Sequence, residues 1–390
     1  MENGRIIIVM HSDLMHYPPM ISLIDIMLEL KKKIVYIGDY SDAPTINRFK
    51  DDGVELVKVF RNRVSNNKIS ILKNIYKYRR NLRDCLDSLN INDCDLVWYV
   101  YCDMAPAVHD LISKYRYLIH YYEFVNQEVN RIFRILFPSF DHKLFAQRAV
   151  TTIQCEYNRA QIFRGLNELE YMPFVLPNKP YIKDGSMDES LMPNNVKVQI
   201  NEISERVKGK KVILYQGVFD SRERKLEEFC EAIQLLPEEF MLIAMGRGDS
   251  SYEELKSKYQ SDRILFVPFI IPPFHLYVTK LASIGVLSYT PIGNTIGGVI
   301  NPIYCAPNKI FEYGKYGIPM ISNDIPGLKN IFDKYGCGRV VEYPLTASRI
   351  KDVILEIVDN YNTMSAGSLS YYESVDLQQI VTEISDRVKN

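Results

Sequence analysis

Several things that would place this chain quickly are missing from it. Its apolar runs are short. Ile6-Ile7-Ile8-Val9-Met10 is among the longest, far below the ~20 residues that a bilayer crossing needs. No apolar segment of about 7–15 residues follows the N-terminus, so no secretion signal is expected. There is no Cys-x-x-Cys. The seven cysteines, at 85, 94, 102, 155, 230, 305 and 337, are odd in number and irregular in spacing. That disfavours zinc and disulfide frameworks and fits a reducing cytosol. Neither sign of charge is in excess: 47 Lys and Arg against 48 Asp and Glu leave a net charge of −1. A general nucleic-acid coat is therefore not expected. The loop after the first expected strand, His11 to Pro19, has no Gly-x-Gly-x-x-Gly, which counts against a dinucleotide-binding oxidoreductase.

What is present is a globular pattern. With 390 residues, 47% of them hydrophobic and 24% charged, the chain can bury a core, and two domains are the natural expectation. Short, nearly continuous apolar segments alternate with helical periodicity. Strands are expected at 6–10, 34–37, 54–59, 96–101, 118–122 and 150–153. The pattern restarts at 212–216, 240–245, 264–267, 285–289, 318–322 and 339–342. This alternation predicts an α/β fold of two Rossmann-like, doubly wound domains facing across a cleft. The segment 181–209, rich in Pro, Gly, Asn and charge, reads as a linker. The expected domains are thus 1–180 and 210–365. A last amphipathic helix in 366–390 is expected to pack back on the first domain, with Leu377, Ile380, Val381, Ile384 and Val388 on one face.

The most informative stretch is 302–324, PIYCAPNKIFEYGKYGIPMISND. Pro307 and Asn308 precede a short helix that starts near Lys309. A helix start offers free N–H groups and partial positive charge, which suits an anion such as a diphosphate. Lys309 adds a full charge at that place. Glu312, three residues on and on nearly the same face, could accept two hydroxyls of a ribose.

With those residues in view, the segment resembles the nucleotide-sugar site of GT-B fold glycosyltransferases of the family 4 type. The likeness rests on Pro-Asn-Lys-Ile-Phe-Glu-Tyr, then Gly317-Ile318-Pro319, then Asp324-Ile325-Pro326-Gly327. Upstream, Tyr215-Gln216-Gly217, Arg224-Lys225-Leu226-Glu227, Gly246-Arg247-Gly248, Val267-Pro268 and Ser288-Tyr289-Thr290-Pro291 follow in order. It is good over about 210–345 and mainly architectural before that. It implies a nucleoside-diphosphate-sugar donor in the second domain and an acceptor in the first. Arg224 and Lys309 would hold the diphosphate, with Arg222 or Lys225 as alternates. Gly217, Gly246, Pro307, Asn308 and Glu312 would complete the donor site. The cations would stabilise charge on the leaving diphosphate, so no metal or other cofactor is expected, in keeping with the absence of Asp-x-Asp at an expected strand end. Configuration would be retained. One departure is Tyr304, which stands where many members carry a second Glu. Backbone amides of the glycine-bearing loop 293–306 are the expected replacement.

On the first domain, His11 and His16 lie in the loop after strand one, and His120 and Glu123 end another strand. Polar groups there could orient an acceptor hydroxyl, with His120 and Glu123 as catalytic candidates. Residues 58–83 carry Lys58, Arg61, Arg63, Lys68, Lys73, Lys77, Arg79, Arg80 and Arg83 with no acidic residue, above an apolar stripe of Ile71, Ile75, Tyr78 and Leu82. Such a face suggests docking on an anionic membrane, where a lipid-linked glycan acceptor of bacterial polysaccharide synthesis would be met. The protein would then be cytoplasmic and peripheral to the inner face of the plasma membrane. Two alternatives share the fold: a sugar-nucleotide epimerase, and a non-catalytic partner subunit.

Overall fold

The computed structural model describes residues 4–59, 68–125, 129–181, 187, 189–248, 250–293 and 295–388. The chain divides into two units, one of Met1–Tyr181 with Asp376–Asn390, the other of Ile182–Val375. Arg61 and Arg63 of the basic segment fall outside the described residues.

The first unit holds seven strands: β1 (Arg5–Asp13), β2 (Lys33–Asp39), β3 (Glu55–Lys58), β4 (Leu96–Val100), β5 (Tyr117–Tyr121), β6 (Thr152–Gln154) and β7 (Phe174–Val175). They form one parallel sheet in the order β3-β2-β1-β4-β5-β6-β7. β4 and β5 are buried at every position, as strands covered on both faces must be. The helix Leu377–Arg387 belongs to this unit. It buries Leu377 and Val381, and Gln378 donates to Glu29 at the end of the helix Pro18–Glu29.

The second unit holds β8 (Lys211–Val218), β9 (Phe240–Arg247), β10 (Ile264–Pro268), β11 (Ile284–Leu287), β12 (Met320–Asn323) and β13 (Gly338–Val341). They are parallel in the order β10-β9-β8-β11-β12-β13. Side chains alternate between two cores. Val212 and Leu214 of β8 enter one, with Ile310, Phe311 and Tyr313. Ile213 and Tyr215 enter the other, with Phe229, Ile350 and Ile354.

Two expected boundaries need correction. Part of the segment read as a linker, 181–209, is the helix Asn194–Arg206, which buries Val196, Ile200 and Ile203 in the second unit. Its apolar spacing is helical, but polar neighbours hide it. The expected C-terminal helix also begins too early at 366. The helix Tyr361–Glu373 stays in the second unit, where Ser368 donates to the Ile318 carbonyl at 3.0 Å and Tyr371 stacks on Phe311. The chain changes unit at Asp376. Among the described residues no helix is long and apolar enough to cross a membrane.

Candidate functional site

In an open parallel sheet, ligands collect beyond the carboxyl ends of the strands, where the strand order reverses. In the second unit that point lies between β8 and β11. Gly217, the last residue but one of β8, is paired in register with Gly246 of β9. Both have positive φ, 146° and 155°, and a Cβ on Gly246 would stand 1.7 Å from the Gly217 carbonyl oxygen. Only glycine allows this approach. It also opens space for Lys309, whose Nζ would lie 2.7 Å from a Cβ placed on Gly217.

Beyond β8 the chain turns on Asp220. Its carboxylate accepts from the Arg222 and Glu223 amides at 2.9 and 3.2 Å, and its carbonyl accepts from the Arg224 amide at 2.7 Å. The Thr290 amide, just past β11, donates to the Glu223 carbonyl at 2.8 Å and ties the turn to the neighbouring strand end. Arg224 is thereby aimed inward. Its guanidinium lies over the Tyr289 ring at 4.3 Å, with Glu223 at 3.4 Å. Arg222 points away: its side chain is 75% exposed, beside Asp220. Lys225 is half-buried, and its charge acts on Glu227. Of the cations expected here, the structure brings together Arg224 and Lys309.

Lys309 comes from the helix Asn308–Lys315. Pro307 caps that helix in an extended conformation and has no side-chain cap bond, so the first amides remain available to a ligand. Nζ lies 4.4 Å from the Tyr215 ring centroid and 5.6 Å from that of Tyr289. Burial first, and then the charge of Arg224, hold the ammonium pKa down to about 7, against an opposing pull from Glu312. Two cations that share the Tyr289 ring and repel each other form a site that an anion would relieve.

Below them, Glu312 is fixed by residues that the sequence did not single out as site groups. One of its oxygens accepts from Gln216 Nε2, and the other lies 3.2 Å from His275 Nε2. Gln216 in turn accepts from the Thr279 hydroxyl at 2.8 Å. Glu312 is 11% exposed. Each oxygen keeps lone-pair capacity, so hydroxyls can still be accepted there. The expected open loop 293–306 is corrected: the helix Ile296–Ile303 runs through it, and Thr295 caps it by accepting from the Gly298 amide at 3.1 Å. Gly298 is needed because a Cβ would come within 2.6 Å of the Ile292 carbonyl oxygen. Tyr304 is the residue that ends this helix.

In the first unit the strand order reverses between β1 and β4. A cavity of about 870 Å³ lies there, lined by His11, Tyr17, Cys102, Asp103, Glu123 and Phe133 among others. Glu123 is 69% exposed, 3.5 Å from the buried Arg159 guanidinium. His16 is exposed in a short turn after β1 and does not line this cavity. His120 requires correction as a catalytic or acceptor-binding group. It is 1% exposed, its Nδ1 accepts from Trp98 Nε1 at 3.3 Å, and its ring packs on Tyr122 at 4.4 Å. Burial drives its pKa down to about 3, so it stays neutral inside the sheet layer. The structure thus brings His11 and Glu123 to one cavity and leaves His120 and His16 out of it.

No protein-family model matches the chain, and no curated protein sequence does. Solved structures do match. A glycosyltransferase from Rickettsia africae ESF-5 superposes with a TM-score of 0.67 at 13% identity, over 100% of this chain and 98% of that one. Anabaena Alr3699/HepE in complex with UDP and glucose gives 0.65 at 11%, over 99% and 100%. A putative UDP-N-acetylglucosamine 2-epimerase from Listeria monocytogenes gives 0.62 at 10%, over 99% and 96%. The fold is GT-B. At such low identities the likeness is one of fold, and the chemistry must be argued from the site itself.

Proposed function

We propose that this GT-B protein is a glycosyltransferase of the family 4 type that takes a nucleoside-diphosphate sugar in its second unit. The observation that carries the proposal is the pair Arg224 and Lys309, held on Tyr215 and Tyr289 at the strand-order reversal and next to an uncapped helix start. Two cations and free amides suit a diphosphate, and Glu312 three residues along suits a ribose. As the bond to the anomeric carbon breaks, charge grows on the leaving diphosphate. Arg224 and a protonated Lys309 bind that state more tightly than the neutral-bridged ground state. The leaving group then needs no divalent ion. UDP is bound to the Anabaena neighbour, which makes it the first nucleotide to try.

Transfer would retain configuration. The acceptor would be a hydroxyl of a lipid-linked glycan, taken in the cavity of the first unit with Glu123 and His11 as its polar contacts. Peripheral attachment at the inner face of the plasma membrane fits the helix Lys68–Ser88, which exposes Lys73, Lys77, Arg80 and Arg83 together with Tyr76. Co-sedimentation with anionic but not neutral vesicles is the expected result; equal partition into both removes that part of the proposal.

The deciding experiment is a thermal-shift panel with UDP, GDP, dTDP and ADP, followed by incubation with the matching sugar nucleotides. One nucleotide should raise the melting temperature, and Lys309→Ala and Glu312→Ala should each shrink that shift while the apo protein still melts cooperatively. Undiminished shifts in both variants remove the donor site. Released nucleotide with a transferred or hydrolysed sugar supports the transferase. An isomerised sugar nucleotide supports the epimerase reading, which the Listeria neighbour keeps open. Absence of both binding and turnover supports a non-catalytic subunit.

A further inference from the structure

His11 and the pair Cys102-Asp103 are some ninety positions apart in the chain, yet the sheet makes them neighbours. β1 and β4 run side by side, and Val9 opposite Tyr99 is the last pair of their ladder, so the residues just beyond it on both strands come close together. His11 is near the end of β1, and Cys102 and Asp103 form the turn between β4 and the helix Ala105–Ile112. That turn is fixed by the Ala105 amide, which donates to the Cys102 carbonyl at 3.0 Å. One imidazole nitrogen, the thiol sulfur and one carboxylate oxygen lie within 4.8 Å of one another. All three residues line the cavity of the first unit.

We propose that His11, Cys102 and Asp103 form a binding site for a single zinc ion. The donor set decides the metal. Sulfur and imidazole nitrogen select against magnesium and calcium, which take oxygen. Zinc accepts nitrogen, sulfur and oxygen together in a tetrahedron. Bond lengths of roughly 2.0–2.3 Å put neighbouring ligand atoms about 3.5 Å apart, so the set must close by about 1 Å. Asp103 is exposed and can supply that movement by side-chain rotation.

The surroundings are those of a supported ligand set. The His11 ring is held edge-on against Tyr78, with centroids 4.7 Å apart at 89°. The Tyr99 hydroxyl lies 3.7 Å from Cys102 Sγ. Hydrogen bonds of that kind orient metal ligands and stabilise a thiolate. Three protein ligands leave a fourth position, which would face the cavity and could take water or an oxygen of a bound molecule. That is the arrangement of a reactive zinc site, since structural sites close the fourth position with protein. The site is separate from the diphosphate-binding groups and is tested without any nucleotide.

The reduced full-length protein should bind one equivalent of Zn²⁺ after equilibrium dialysis. With Co²⁺ in its place, an intense thiolate-to-metal charge-transfer band should appear. Cys102→Ser should abolish that band, His11→Gln and Asp103→Asn should each weaken binding about tenfold or more, and Cys94→Ser should change nothing. Circular dichroism confirms that each variant is folded. A measurement on the unsubstituted protein covers a variant that does not fold: Zn²⁺ should protect Cys102, and not Cys94, from alkylation, read peptide by peptide. The proposal is overturned by a wild-type protein that binds no zinc. It is equally overturned by a cobalt band that survives Cys102→Ser, or by unprotected Cys102, which would assign the metal to surface thiols.

Discussion

At the strand-order reversal of the second unit, Arg224 and Lys309 share the Tyr289 ring, and Lys309 also lies over Tyr215. At the equivalent point of the first unit the strand ends carry His11, Cys102, Asp103 and Glu123, and among the described residues none of the side chains lining that cavity is Lys or Arg. The two sheets have the same strand logic on either side of the reversal. Topology therefore fixes where a ligand can sit, and the first residues beyond the strands fix which charge it can carry. An anion is accordingly proposed for the second unit, and hydroxyls or a cation for the first.

The sharpest way to break this contrast is at Lys309. Lys309→Met keeps the stem against Tyr215 and removes the charge. Nucleotide-diphosphate binding should weaken by about 2–3 kcal/mol, roughly 30–150-fold in Kd by calorimetry. The same change removes a desolvated cation from beside Arg224, so the apo protein should melt a few degrees higher. Binding at wild-type strength, or a lower apo melting temperature, would show that the charge is not held in a strained, anion-seeking state.

A second test uses pH. In the free protein the Lys309 pKa is lowered to about 7, and a bound diphosphate must raise it again. Below pH 7 the lysine is already protonated and affinity for a sugar nucleotide should be flat. Above pH 7 binding takes up a proton, and affinity should fall by up to about tenfold per unit. The apo protein should do the reverse and gain stability as pH rises from 7 toward 10, because the unfolded chain holds a proton that the folded one sheds. Lys309→Arg, charged throughout, should flatten both profiles. An affinity profile as steep in the Arg variant as in the wild type would assign the titration to another group.

The parts of this contrast that were legible in the sequence are those written in one short stretch. Pro307, Asn308, Lys309 and Glu312 lie on a single helix start, and the strands announce themselves as short apolar runs because both faces of each sheet are buried. What was hidden is assembled from distant elements. Glu312 is gripped by Gln216 of β8 and by His275 of the helix His275–Thr279, both far from it in the chain. The helix Ile296–Ile303 was masked by Gly297, Gly298 and Pro302, residues that ordinarily mark a loop. His120 looked reactive because it is polar and near a strand end, but period-two alternation turns it under Trp98, out of reach of solvent. The His11–Cys102–Asp103 set could not be seen before the register of β1 and β4 was known.

The smallest expected effect tests the first unit through His120. His120→Gln keeps an acceptor for the Trp98 indole N–H, so at pH 7.5 it should cost only about 1 kcal/mol in denaturant unfolding. Turnover, once a donor is identified, should change by less than about threefold, whereas loss of a proton-transferring group costs about 10²–10⁴-fold. The acid limb separates the two further. His120 has a pKa of about 3 when folded and an ordinary value of 6.5, so the unfolded chain binds a proton that the native one refuses. Wild-type stability must therefore fall as pH drops below 6.5, down toward 3, and the Gln variant should lose less over the same interval. A hundredfold drop in turnover with an unchanged acid limb would return His120 to the reacting groups and erase the distinction drawn between the two units.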